Sequence, residues 1–463
     1  MMLGVYMKRK IFNYNNFLIL LYLVIVFITI FFHEIWFDEA QSWLLARDLG
    51  WMDIIKQMSY EGHSCFYYYF LKILIIMGLD YHYMGYISLV VGLIATIIFV
   101  YKAPFNNIIK TLWILSPAII YLCPVFSRPY IFSLLFMIII CILYKDRYKY
   151  SWLFGIILFL FINSHILTIP MVLSIMIIEI YDYFFVDKKH LKERIVMGSL
   201  SLFGVIIFAL QLLGSFNNRS DILSLNALSD NFIFLILSIR SNMIALFGNV
   251  FLSFIGLAIF ILLINKIKSN KKSLFIIIFN TVVFMLFAFF VFSIYQSKLI
   301  YIVEYILFAL WLFYEDNKVD NSVNKLLIYL LLISSISSFK MISYDVFNDY
   351  SNGEIIAAFF NNDKRENIRI LSYTDCPEVI IHLDNRYEFV PYGYSDNYTF
   401  SKYRPFKEID GELIDYVRDN NFDYIISNYP VSIYPEDINN LIEKNDIEEV
   451  YLSNGSIIYK VNK

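Results

Sequence analysis

The sequence is poor in charge, glycine and cysteine, and each shortage closes a class of explanation. Only 17% of its 463 residues are Asp, Glu, Lys or Arg, against roughly 25% in soluble domains. Hydrophobic residues make up 59%, and the mean hydropathy is +0.61, which excludes a soluble fold for most of the chain. The 16 glycines form neither a GxGxxG nor a P-loop pattern, so no nucleotide site is expected. Cys65, Cys123, Cys141 and Cys376 lie far apart without a CxxC, three of them in apolar segments. Neither a disulfide framework nor a zinc site is expected from that spacing. No basic stripe suited to nucleic acid is present, and there is no internal repeat or low-complexity tract.

What is present is a series of apolar runs. Eleven are long enough to suggest spans, near 16–33, 84–101, 111–126, 129–144, 150–165, 167–186, 195–214, 249–265, 273–295, 298–314 and 324–339. The first follows a basic Lys8-Arg9-Lys10 and has no small-residue cleavage site behind it, so an uncleaved signal anchor is expected. A twelfth run, 66–79, would make a helix of about 21 Å against a hydrocarbon core of about 30 Å, with Lys72 in its middle. If this run lies along the membrane, 18 of the 25 basic residues before position 340 fall in cytoplasmic loops and 7 outside. If it spans, the bias reverses. The positive-inside rule selects the first arrangement, with a cytoplasmic N-terminus and an extracytoplasmic loop 34–83.

Charge also divides the chain. Residues 340–463 hold 12 Lys+Arg against 22 Asp+Glu, a net of −10, which leaves 25 against 18, or +7, for residues 1–339. Two bodies are therefore expected. Residues 1–339 form the transmembrane module, and residues 340–463 form a small α/β domain on the outer side. In that domain 367–373 and 423–429 read as strands, 411–420 as a helix, and 448–461 as a hairpin turning at Asn454-Gly455.

The acids stand out against this background. Glu34, Asp38, Glu39 and Asp48 crowd behind a first run that has no charge from Phe17 to Phe32. One reading is an interfacial acid pair with Asp38 capping a helix. Against it, "EAQSWLLARDLG" has no clean apolar stripe, which implies contact on more than one side. Outward cations are Arg128, Lys298, Arg219 and Arg240, and each has two readings, a phosphate contact or snorkelling to lipid headgroups. His63 and His165 are expected outside as well. A lone histidine is more often a packing residue, and although both could join Asp38 and Glu61 around a metal, no ligand spacing argues for one.

In order along the chain, "WFDEAQSWLLARDLG" (36–50), "EGHSCFYYYFLKIL" (61–74), "SRPYIFSLLF" (127–136) and "NSHILTIPMVL" (163–173) resemble the membrane-embedded GT-C glycosyltransferases, nearest to the bacterial branch related to protein O-mannosyltransferases and aminoarabinose transferases. The resemblance covers roughly the first 200 residues. It implies a GT-C-like fold with juxtamembrane helices in the first outer loop and a polyprenyl-phosphate sugar as donor. It also implies a catalytic base at Asp38 of the Asp38-Glu39 pair. The expected substrate-binding residues are Glu61, His63, Arg128, Tyr130, His165 and Lys298; no cofactor is expected from the sequence, and dependence on a divalent metal stays open. His63-Ser64-Cys65 stands where such enzymes usually carry His-Pro-Pro or Lys-Pro-Pro, and only "VEYIL" (303–307) occupies the place of a late Arg-Tyr pair.

Two other functions stay open on the sequence. A transporter or flippase needs ionisable groups near the bilayer midplane, for which Glu179, Gln211 and Glu304 are the chief candidates. A catalytically silent relative acting in envelope assembly is the other.

Overall fold

The structure is a computed structural model describing residues 13–213, 228–290, 298–316, 321–402, 407, 409, 412–427, 435–453 and 456–462. Lys8, Arg9, Lys10, Arg219, Lys318 and the Asn454-Gly455 turn lie outside the described residues. The chain divides into two compact units, one of residues 1–32, 55–67 and 82–347, the other of 33–54, 68–81 and 348–463. The second unit thus recruits two pieces of the first loop as well as the C-terminal region.

The helices in chain order are α1 (Tyr14–Phe32), α2 (Phe37–Asp48), α3 (Trp51–Glu61), α4 (Phe66–Ile76), α5 (Met84–Lys102), α6 (Asn107–Ile114), α7 (Tyr130–Tyr144), α8 (Ser151–Ile162), α9 (Ile169–Phe185), α10 (Leu191–Gln211), α11 (Leu228–Phe247), α12 (Val250–Ile267), α13 (Lys271–Phe290), α14 (Leu299–Asp316) and α15 (Asn321–Phe347). Among the described residues seven, α1, α5, α9, α10, α12, α13 and α15, are long and apolar enough to cross a membrane. Large apolar side chains such as Phe203, Phe251 and Phe254 stand exposed on them, as lipid-facing residues do. Helices suit such a setting because they satisfy every backbone group within the segment. This is a polytopic membrane protein.

The run at 111–126 is not one helix. It breaks after Ile114 at Ser116-Pro117 and continues as a π turn, Ala118–Leu122, because proline brings no N–H to the helical ladder. Close crossings depend on small residues. A Cβ on Gly92 of α5 would stand 2.3 Å from the Tyr22 hydroxyl of α1, so only glycine lets these two helices pack as they do.

Loops expected on one side of the membrane meet in the first unit. Arg147 and Arg194 both pair with Glu179, at 2.5 and 3.0 Å, and Lys272 pairs with Asp182 at 2.5 Å. These contacts fasten the turn after α7 and the starts of α10 and α13 to the end of α9.

The second unit contains α16 (Gly353–Asn361), β1 (Ile368–Ser372), α17 (Pro377–Ile380), β2 (Tyr387–Pro391), α18 (Leu413–Asp419), β3 (Tyr424–Ser427), α19 (Pro435–Glu443), β4 (Ile447–Ser453) and β5 (Ser456–Val461). The sheet order is β2-β1-β3-β5-β4, with β1 parallel to both β2 and β3 and the last two pairings antiparallel. Strands β1 and β3 and the β4–β5 pair fall where the alternation and turn chemistry put them. β1 and β3 are buried along almost their whole length, as parallel strands covered on both faces must be. Leu371, Val390, Val417, Phe422, Ile425 and Ile438 form one core.

Candidate functional site

Two groups of charged and polar side chains stand out, one in each unit. In the first unit the sequence places Arg128 on a turn that Pro129 converts into the start of α7. Arg128 is 4% exposed, and its Nη2 donates to His63 Nε2 at 3.3 Å. His63 follows Gly62, whose φ of +71° ends α3 in a conformation that favours glycine. Ser64 then accepts the Phe66 backbone N–H at the start of α4, at 3.2 Å.

His165 lies between α8 and α9, 1% exposed. Its ring is 5.0 Å from that of His63 and 5.9 Å from that of Tyr130, and stacks on Tyr301 at 4.6 Å. Lys298, just before α14, donates to the Tyr130 hydroxyl at 2.9 Å. Five of the expected substrate-binding residues, His63, Arg128, Tyr130, His165 and Lys298, therefore converge from four separate segments. Two permanent cations within this largely buried group make an anion the matching ligand.

Glu61 is different. It closes α3 and accepts from the Gln57 amide at 3.1 Å. Arg240 stands exposed on α11. Among the described residues no group of three or more His, Cys, Asp or Glu side chains is placed to hold a metal ion.

The acid segment belongs to the second unit. Residues 39–46 of α2 are all buried, in keeping with a helix whose sequence shows no single apolar face. Gln41 clamps the backbone of Ser401 in both directions, donating at 2.9 Å and accepting at 2.7 Å. Glu39 is 1% exposed, and its carboxylate takes the Trp36 backbone N–H at 3.2 Å and faces His33 Nε2 at 3.0 Å. That is a helix-start role. Asp38, by contrast, is only half-buried. Glu34 accepts the Ser351 N–H at 2.8 Å, and burial pushes its carboxyl above the ordinary value.

No family model matches the chain, and no curated protein matches it.

Lys72, the charge that argues against a span at 66–79, donates to the carbonyls of Ala46 at 3.0 Å and Leu49 at 2.5 Å. It caps the C-terminus of α2, where a cation is favoured. Sequence reasoning missed Tyr301 as part of the histidine cluster. Its only signal is its place one turn before Glu304, on the face of α14 where Tyr301, Glu304, Tyr305 and Phe308 are all buried.

Proposed function

We propose that the protein is a glycosyltransferase that moves a sugar from a polyprenyl-phosphate donor to an acceptor hydroxyl on the outer face of the cytoplasmic membrane. The observation that carries this reading is the convergence of Arg128, Lys298, His63 and His165 in a unit otherwise built of apolar helices. A charged cluster in such a setting calls for an anionic ligand that is itself delivered by the membrane, and a lipid-linked phosphate fits that requirement.

In the proposed step the bond between the anomeric carbon and the phosphate oxygen breaks, and its electron pair stays on the phosphate. The acceptor oxygen bonds the same carbon from the opposite face, inverting it, and its proton passes to the Asp38 carboxylate. Arg128 and Lys298 neutralise the charge that grows on the leaving group. Glu39 is engaged at the start of α2, and the resemblance assigns the proton transfer to Asp38. The eleven-span topology belongs to the same proposal, with residues 340–463 outside.

The transporter reading is less well supported. Glu179 is held by two arginines, and Gln211 accepts the Cys65 backbone N–H at 2.7 Å, so both serve packing. Turnover of radiolabelled polyprenyl-phosphate hexoses and pentoses by the full chain in membranes tests the proposal. Product formation that needs Asp38 supports it, and donor binding without turnover points to the silent relative.

A further inference from the structure

His165 has a feature that charge alone does not explain. Its Nδ1 accepts the backbone N–H of Leu167 at 3.1 Å. An N–H donates only to a lone pair, so Nδ1 carries no proton and the single proton of the neutral ring sits on Nε2. A second proton would have to enter at Nδ1, against that amide. The geometry therefore fixes a neutral Nε2–H tautomer.

Nε2 is buried and has no hydrogen-bond partner among the described residues. The ring is also held in place, stacked on Tyr301 at an interplanar angle of 23° with His63 and Tyr130 beside it. A buried donor without an acceptor is costly. The charged neighbours do not supply one, since Lys298 and Arg128 are donors only and His63 Nε2 already accepts from Arg128. An acceptor brought by a ligand into a cluster that also holds Arg128 and Lys298 is an anionic oxygen.

We propose that His165 is a neutral hydrogen-bond donor to a phosphate oxygen of the bound ligand, its Nε2–H adding a third contact beside Arg128 and Lys298, with Tyr301 as the positioning residue beneath it. This rests on the lipid-phosphate reading above and assigns His165 a role that does not depend on its charge. A neutral donor keeps its bond to the phosphate before and after the sugar leaves, without adding a third positive charge that would retain the product.

The test uses the full chain in detergent, with undecaprenyl phosphate, undecaprenol and inorganic phosphate as probes and retention measured by native mass spectrometry. His165→Gln places an amide Nε2 near the imidazole Nε2, whereas His165→Phe keeps the stack on Tyr301 and removes the donor. Thermal unfolding checks that both variants fold. Undecaprenyl phosphate is expected to bind the Phe variant about tenfold more weakly and the Gln variant within about threefold of wild type, as for loss or retention of one buried hydrogen bond.

The ratio of wild-type to Gln affinity is expected to stay flat from about pH 8 to about pH 6; a charged histidine would make it rise as pH falls through about 6.5. A Gln variant as weak as Phe, a rising ratio, or an unaffected Phe variant overturns the assignment to His165. Wild type that binds undecaprenol as well as undecaprenyl phosphate overturns the lipid-phosphate reading instead. With inorganic phosphate the same Phe loss supports the contact to the phosphate group itself, and the lipid-linked reading requires undecaprenyl phosphate to bind more tightly.

Discussion

At the scale of single residues, the adjacent acids Asp38 and Glu39 have different environments, and this separates their expected phenotypes. Glu39 is buried and holds the start of α2 through Trp36 and His33, so Glu39→Ala is expected to destabilise the protein by about 1 kcal/mol, the usual worth of a helix cap. Asp38→Asn is expected to leave the unfolding temperature unchanged and to slow transfer on the order of a hundredfold, as for loss of a general base. Measuring unfolding and turnover on the same preparations separates the two roles. Near-normal turnover by Asp38→Asn would remove that carboxylate from the reaction. For Arg128, a bidentate grip on phosphate predicts that Arg128→Lys raises the donor concentration needed for half-maximal turnover, and Arg128→Ala raises it more. An arginine that only meets lipid headgroups would tolerate lysine, and a normal donor dependence in the Lys variant would move the phosphate contact to Lys298.

Among the elements, α2 depends on a neighbour in the same loop. Lys72 of α4 closes the C-terminus of α2 through two carbonyls, so Lys72→Met keeps the aliphatic stem but loses both charged hydrogen bonds. Hydrogen exchange of amides 45–49 is expected to speed up by roughly tenfold, in line with loss of about 1.5 kcal/mol. Unchanged exchange there would show that packing alone holds the helix end. In the sheet unit, Asp363 receives Arg365 and the Tyr424 hydroxyl, and the Arg365 hydrogen bonds hold its carboxyl well below the usual carboxylate range. A depressed folded value means that the contribution is complete above the unfolded value of about 3.9 and is lost as pH falls below it. The unfolding temperature of the sheet unit within the full chain is therefore expected to fall between about pH 5 and about pH 2, and less steeply in Asp363→Asn. Since the side chains around Asp363 are partly solvated, the effect is small.

For the whole molecule, the prediction concerns sidedness. Cys376 is buried, with Ser372 and Tyr398 around its thiol, so the natural cysteine does not report which side the domain faces. Ser395 is exposed, and Ser395→Cys is expected to react with a membrane-impermeant thiol reagent in intact, wall-stripped cells. Labelling only after the membrane is opened would place the domain inside and reverse the topology.

The sequence by itself determined the membrane class, the acidic C-terminal body, two of its parallel strands and the final antiparallel pair, because composition, hydropathy and alternation are local or additive quantities. It also marked Arg128 and Lys298 from their positions at the ends of apolar runs, and His63, His165 and Tyr130 singly from the segments that carry the resemblance. Only the tertiary structure decided that these five meet in one cluster, since residues more than two hundred positions apart are joined by helix packing that no local pattern encodes. It also decided the roles of Glu39 and Lys72, which depend on which backbone groups each side chain reaches. The fixed tautomer of His165 depends on a single amide two residues along, in the 3-10 turn Ile166–Thr168 that links α8 to α9, a contact that exists only once the chain is folded.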